Sequence, residues 1–283
     1  MKTRAWAKLN LTLDVLGKRE DGYHDLCMVM QSVTLHDTLT LEPNEGQGLR
    51  VKTNLRFLPT GDKNLAAAAA LRFWEALGRE PESIDIEIEK RIPVCAGMAG
   101  GSSDAAAVLR ALNEQAGFPF TPTELAKVGE KVGSDVPYCV LGGTALAEGR
   151  GEVLTPLPAL PPCWVVACKP DFPISTPELF ARIDSCKIRC RPDTAGMLEA
   201  LKAGSLEEVA RRMYNVFEDV LPERYQARVA EIKHVLIQKG ALGANMSGTG
   251  PTAFGLFDSE EAAREAQAAL QEGYRDTFLC RSV

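Results

Sequence analysis

The residues that can do chemistry in this chain begin with Pro93-Val94-Cys95-Ala96-Gly97-Met98-Ala99-Gly100-Gly101-Ser102-Ser103-Asp104. They run without a break into Ala105–Asn113, a stretch of strong helix formers, so the glycines stand just before a helix N-terminus. The first backbone N–H groups of a helix lack internal partners, and the aligned peptide dipoles add partial positive charge there. Glycine lets backbone approach a ligand closely because it carries no Cβ. The combination suits a phosphate group. The loop has neither the lysine of the commonest nucleoside-triphosphate loop nor the glycine spacing of the dinucleotide fingerprint. Any fixed charge or acid that the reaction needs must therefore come from elsewhere in the chain. Read locally, a tight turn with an ordinary serine cap has the same pattern.

Three further places carry candidate groups. Lys8–Val15 alternates, with Leu9, Leu11, Leu13 and Val15 on one face and Lys8, Asn10, Thr12 and Asp14 on the other, which predicts a half-buried strand whose polar face is solvated. Arg19–Gly22 reads as a turn, and the pair Tyr23-His24 follows at a loop edge, exposed, as a core cap or a ligand contact. Gly133-Ser134-Asp135-Val136-Pro137 stops a helix, so Asp135 is either a turn cap or a catalytic carboxylate. Met246–Thr252 is a second glycine loop.

These groups need elements to position them. Val33–Leu41, Leu49–Thr53 and Ile84–Glu89 are strand candidates, and the last of these feeds the first glycine loop. Asp62 or Asn64 caps a helix over Leu65–Leu77 that ends at Gly78. Thr121-Pro122-Thr123-Glu124 is a capping box whose helix reaches about Val132. Thr144–Ala147 and Trp164–Cys168 are strands. Ser175 opens a helix carrying Leu179 and Phe180, Ser205 opens one running to about Val220, and Glu223–Lys239 is helical. Ala253–Phe257 is a strand, Ser259 caps a last helix, and Phe278–Val283 closes a sheet. The order is mixed rather than strictly alternating, so the fold is α+β with two domains. The four prolines of Thr155–Pro162 place the boundary, giving domains 1–155 and 156–283.

Composition narrows the function. The chain has 283 residues, a net charge of −6, and 45% hydrophobic and 25% charged residues, which fits a soluble two-domain protein and argues against nucleic acid or an anionic membrane as partner. Lys2, Arg4 and Lys8 are followed by no apolar leader-like segment, and no apolar run is long enough to span a membrane. The eight cysteines include no Cys-x-x-Cys and accompany only three histidines, so free buried thiols in a reducing cytoplasm are expected and a zinc site is not.

Ala7-Lys8-Leu9-Asn10-Leu11, the central glycine-serine loop and Ser247-Gly248-Thr249-Gly250-Pro251-Thr252 together resemble the small-molecule kinase superfamily that includes galactokinase, homoserine kinase, mevalonate kinase and phosphomevalonate kinase. Asp21-Gly22-Tyr23-His24 and Gly133–Pro137 resemble one branch of it closely, a branch that serves non-mevalonate isoprenoid synthesis. The likeness covers most of the chain and is looser in the C-terminal half. It implies a ribosomal-protein-like N-terminal domain for ATP and catalysis, and a ferredoxin-like C-terminal domain that contributes to the substrate site. It also implies ATP-dependent phosphorylation of an alcohol on a cytidine-diphosphate-linked small molecule.

By the same resemblance, Lys8 and Asp135 are the catalytic pair, and Pro93, Val94, Cys95, Ala96, Gly97, Met98, Ala99, Gly100, Gly101, Ser102 and Ser103 hold the ATP phosphates. Asn10, Tyr23, His24, Phe180, Gly248 and Thr249 bind the substrate, with the aromatic groups against cytosine. Phosphoryl transfer rests on positioning and charge stabilisation: Lys8 supplies the positive charge that the glycine loop lacks, and Asp135 accepts the hydroxyl proton. Mg2+ is expected as counter-charge to the phosphates, held mainly by ATP and water, with Ser102 or Ser103 as a possible hydroxyl ligand. The loop departs from the superfamily pattern by Ala99 where glycine is usual. Monomer and homodimer both remain open. Another kinase of the superfamily, or a non-catalytic binding protein on the same fold, are the alternatives; the loop pattern excludes a dinucleotide-dependent oxidoreductase.

Overall fold

The computed structural model describes residues 1–283, which divide into two compact units. The first comprises Met1–Ala7, His36–Ile92 and Ala99–Gly142; the second comprises Lys8–Leu35, Pro93–Met98 and Gly143–Val283. Two long strands, β1 (Lys2–Lys18) and β2 (His24–Pro43), give residues to both.

In the first unit the later part of β2 pairs antiparallel with β4 (Ile84–Glu89), and β4 pairs in parallel with β3 (Arg50–Thr53). Ile84, Ile86 and Ile88 are buried with Leu39 and Leu41. Over them lie α1 (Leu65–Leu77) and α2 (Gly100–Gln115), joined by α3 (Pro122–Glu130) and α4 (Val136–Leu141). Alanines at 66, 67, 69 and 70 and at 105–107 make flat, fully buried faces that let these helices approach closely. Both predicted caps form: Asn64 Oδ1 accepts from the Ala66 N–H at 2.9 Å, and Thr121 with Glu124 makes a reciprocal capping box.

In the second unit the early part of β2 pairs with β5 (Thr144–Gly149), which pairs with β6 (Val153–Pro156). A separate antiparallel sheet has the order β11-β7-β10-β9, from β7 (Trp164–Lys169), β9 (Gly243–Met246), β10 (Ala253–Phe257) and β11 (Asp276–Arg281). Helices α5 (Thr176–Ser185), α6 (Thr194–Ala203), α7 (Leu206–Arg211), α8 (Glu223–Gln238) and α9 (Glu260–Gln271) complete the unit, and α8 and α9 pack on that sheet. The proline-rich stretch 155–162 lies within this unit.

Three expectations need correction. The helix opened by Ser205 stops at Arg211 rather than near Val220; Tyr214–Asn215 then forms a short strand, β8, parallel to β1, and Val216–Val220 is a 3-10 turn. Asn215 causes the break, since its Oδ1 accepts from the Phe217 N–H at 3.0 Å and starts a new turn. The polar face of β1 is not solvated: Lys8, Asn10, Thr12 and Asp14 are at most 5% exposed. Each is compensated inside the protein, Thr12 by accepting the Val29 N–H at 3.1 Å and Asp14 by the Arg191 guanidinium at 2.6 Å. All eight cysteines are free, but only Cys163, Cys168 and Cys280 are buried, while Cys95, Cys186 and Cys190 are exposed.

Candidate active site

On the second unit, Lys8 is only 4% exposed and its ammonium donates to Asn10 Oδ1 at 2.7 Å. Their alternate positions on β1 make them neighbours on one face. The Lys8 N–H donates to the Met98 carbonyl at 3.2 Å, which ties this strand to the first glycine loop. The second glycine loop meets both. Ser247 Oγ accepts from the Asn10 N–H at 3.3 Å and donates to the Gly97 carbonyl at 2.9 Å.

The two loops touch backbone to backbone, which accounts for two of their glycines. Gly97 has φ 71°, and a Cβ there would lie 2.1 Å from the Ser247 carbonyl oxygen. Gly248 has φ 56°, and a Cβ there would lie 3.0 Å from the Gly97 carbonyl oxygen. No side chain fits at Gly97, and one at Gly248 would need both a strained left-handed backbone and a small shift of its neighbour.

Two buried asparagines, which sequence reasoning did not single out, hold the second loop. Asn215 Nδ2 donates to the Met246 and Gly248 carbonyls, both at 2.8 Å, and Asn245 Nδ2 donates to the Leu11 carbonyl at 3.0 Å. Thr249 shares a hydroxyl hydrogen bond of 2.9 Å with Thr176 at the start of α5.

Helix α5 carries an aromatic cluster to the start of β2. Phe180 stacks on His24 with centroids 4.5 Å apart at 23°, and Phe217 meets Phe180 edge-on at 5.1 Å. His24 Nε2 donates to Asp184 Oδ1 at 2.7 Å, and Lys18 donates to Asp184 Oδ2 at 2.9 Å. His24 is thus buried rather than exposed, whereas Tyr23 is 55% exposed with the Arg150 guanidinium 5.2 Å from its ring centre. Asp184 was missed, although the spacing Phe180-x-x-x-Asp184 puts both residues on one helical face.

On the first unit, α2 starts at Ala99, which has φ 57° and supplies no side-chain cap. The first amide bonded back into the helix is that of Ser103, to the Ala99 carbonyl at 2.8 Å. The amides of Gly100, Gly101 and Ser102 are the ones without an intrahelical acceptor, a natural anion cradle. Cβ atoms at Gly100 and Gly101 would press to 3.1 Å from Ile92 and 3.3 Å from Leu65, so these glycines let the helix start sit against its own core. The Ser103 hydroxyl is buried and donates to the Trp6 carbonyl, which leaves Ser102 as the hydroxyl available to a ligand.

Beneath the cradle, Lys90 donates to Asp37 Oδ2 and to Asp104 Oδ2, the latter at 2.6 Å. Burial works against the Lys90 charge, but Asp104 and Asp37 overcome it and raise its pKa. Burial pushes the Asp104 carboxyl up to about 8 despite Lys90, and its Oδ1 has no hydrogen-bond partner. Asp37 Oδ1 accepts from the Arg91 and Ile92 N–H groups at 2.5 and 2.8 Å, fixing the chain just before the glycine loop.

Asp135, half-buried on the first unit, is not at the end of α3 alone; it occupies the N-cap position of α4 with φ −84° and makes no side-chain cap bond. Its carbonyl accepts from the Cys139 N–H at 3.1 Å. Gly129 lets α3 close on α4, since a Cβ there would lie 2.7 Å from Val136. No group of three or more His, Cys, Asp or Glu side chains is arranged to hold a metal ion.

The sequence matches the model of the GHMP kinase N-terminal domain over residues 64–143 and that of the C-terminal domain over residues 197–276. A 4-diphosphocytidyl-2-C-methyl-D-erythritol kinase of Alkaliphilus metalliredigens is 42% identical over 282 residues, covering 100% of this chain and 96% of the relative. The chain belongs to the GHMP kinase family. A kinase of the same description from Clostridium acetobutylicum is 40% identical, with 100% of both chains covered. The crystal structure of a 4-(cytidine 5'-diphospho)-2C-methyl-D-erythritol kinase superposes on this GHMP kinase with a TM-score of 0.83 at 35% identity, covering 100% of this chain and 99% of that one. A mevalonate kinase structure, at 16% identity and a TM-score of 0.75, shares the fold. Both family models are of kinase domains, and the chain is an ATP-dependent small-molecule kinase with the two-domain α+β fold of that family.

Proposed function

We propose that this kinase transfers the γ-phosphoryl group of ATP to the 2-hydroxyl of 4-diphosphocytidyl-2-C-methyl-D-erythritol, giving the 2-phosphate and ADP for isoprenoid precursor synthesis in the cytoplasm. The observation that carries this reading is end-to-end similarity, at 42% and 44% identity over all of this chain, to two kinases described by that substrate.

The roles divide as follows. The amides of Gly100, Gly101 and Ser102 donate to phosphate oxygens at the start of α2. The Lys8 ammonium, oriented by Asn10, stabilises charge on the transferring group and the acceptor oxygen. Asp135 accepts the hydroxyl proton as the O–P bond forms, and ADP leaves with the electron pair of the broken bond. Tyr23, His24 and Phe180 bind the cytosine, while Asn10, Gly248 and Thr249 line the path of the alcohol. Magnesium would supply counter-charge to the phosphates, and the Ser102 hydroxyl is the side chain of this loop suited to help hold it. Residues 1–155 carry the ATP and catalytic groups, and 156–283 add to the substrate site.

An ADP-release assay tests the assignment, with homoserine and mevalonate as control alcohols. Asp135→Asn keeps its affinity for an ATP analogue and for the cytidine substrate but loses turnover by roughly 10²-fold or more, the usual worth of general-base help. Near-normal turnover in that variant removes Asp135 from the reaction.

A further inference from the structure

The His24 ring is gripped on its face by Phe180 and at Nε2 by Asp184, one helical turn further along α5. The second carboxylate oxygen of Asp184 is taken by Lys18 at 2.9 Å. Hydrogen bonds from His24 and then from Lys18 hold the Asp184 carboxyl below the usual carboxylate range, so it stays ionised. An ionised carboxylate only accepts. The proton of the neutral imidazole therefore sits on Nε2, and Nδ1 is left as a bare acceptor. The ring's hydrogen bond within the protein is the one at Nε2.

A bare acceptor distinguishes two bases of nearly equal shape. Cytosine presents an amine donor at C4, whereas uracil presents a carbonyl acceptor at that position. Facing Nδ1, the first makes a hydrogen bond and the second sets lone pair against lone pair. We propose that Asp184 is a positioning residue that selects cytidine-linked over uridine-linked substrates by fixing the His24 tautomer. The inference rests on the reading above that His24 meets the base.

The test compares the cytidine-diphosphate substrate with its uridine counterpart and reads the tautomer directly by nitrogen NMR at pH 8. The chain has three histidines, so His36 and His234 variants complete the assignment. In the wild type, His24 carries its proton on Nε2, and the cytidine substrate is preferred by a hundredfold or more in kcat/KM. In Asp184→Ala both tautomers populate, the preference falls at least tenfold, and KM for ATP is unchanged. Asp184→Asn, whose amide can accept or donate, gives an intermediate preference and stands in should the alanine variant fail to fold. A wild-type His24 protonated on Nδ1 or on both nitrogens overturns the proposal, as does a full preference retained by both variants. His24→Ala with unchanged KM for the cytidine substrate sinks the base-binding reading instead.

Discussion

Asp104 shows how one residue links the interior to the glycine-rich start of α2. Two carboxylates and one ammonium are shut away together, with Asp37 and Lys90 completing the group, so full ionisation would leave an uncompensated buried negative charge. Asp104 avoids this by keeping its proton up to about pH 8. An unfolded aspartate releases its proton near pH 4, so between about 4 and 8 the native state holds more protons and stability falls as pH rises. Asp104→Asn, isosteric and uncharged, removes that slope. Urea unfolding at pH 5 and pH 8 checks it: relative to wild type the variant gains on the order of 1 kcal/mol or more at the higher pH, and parallel curves would refute the account. None of this was legible in the sequence, where Lys90, Asp37 and Asp104 stand far apart and look like ordinary surface charges. Lys8 and Asn10 misled for a related reason. Alternation shows that two faces differ, but it cannot show that the polar face is also covered.

At the level of elements, local signals are legible in the sequence and long-range ones are not. Capping residues and glycine stops located α1, α3 and α9, because a cap is a contact within three residues. The break after Arg211 leaves no local signal, because β8 exists only through its pairing with β1, some 200 residues away in the chain. The glycine loops make the same distinction testable. Gly97 and Gly204 have similar backbone angles, φ 71° and φ 64°, yet Gly204 has nothing within 4 Å of a built Cβ. Gly204→Ala costs about 1 kcal/mol of left-handed strain and leaves the kinetics alone. Gly97→Ala adds a backbone clash that no rotamer relieves, so it lowers Tm by several degrees more and raises KM for ATP at least tenfold. Equal behaviour of the two variants would show that the contact with Ser247 is unimportant.

For the whole molecule, the sequence disclosed the fold class and the kinase chemistry because both glycine loops and the Lys8 strand carry compact motifs. It did not disclose that each unit draws on three separate chain segments, since contacts between distant segments leave no periodic mark. No helix is long and apolar enough to cross a membrane. The cysteines provide a molecule-wide check of burial. Denatured protein titrates eight thiols, and native protein labels fast at Cys95, Cys186 and Cys190, while Cys163, Cys168 and Cys280 stay protected. Peptide mapping after timed alkylation reads this. Rapid native labelling of Cys168, whose burial pushes its thiol up to about 12, would mean that the β7 sheet opens readily.

The bare-backbone contact of Gly97 with Ser247 and Gly248 has one more effect. Two loops that share a wall with no side chain between them cannot stiffen separately. Under the roles proposed for these loops, a nucleotide that quiets the first leaves the second less freedom to surrender, so the alcohol binds at a smaller entropic loss. Reciprocity then requires each ligand to sharpen the affinity for the other by the same factor. On that reading, synergy between donor and acceptor rests on two glycines in left-handed backbone, Gly97 and Gly248.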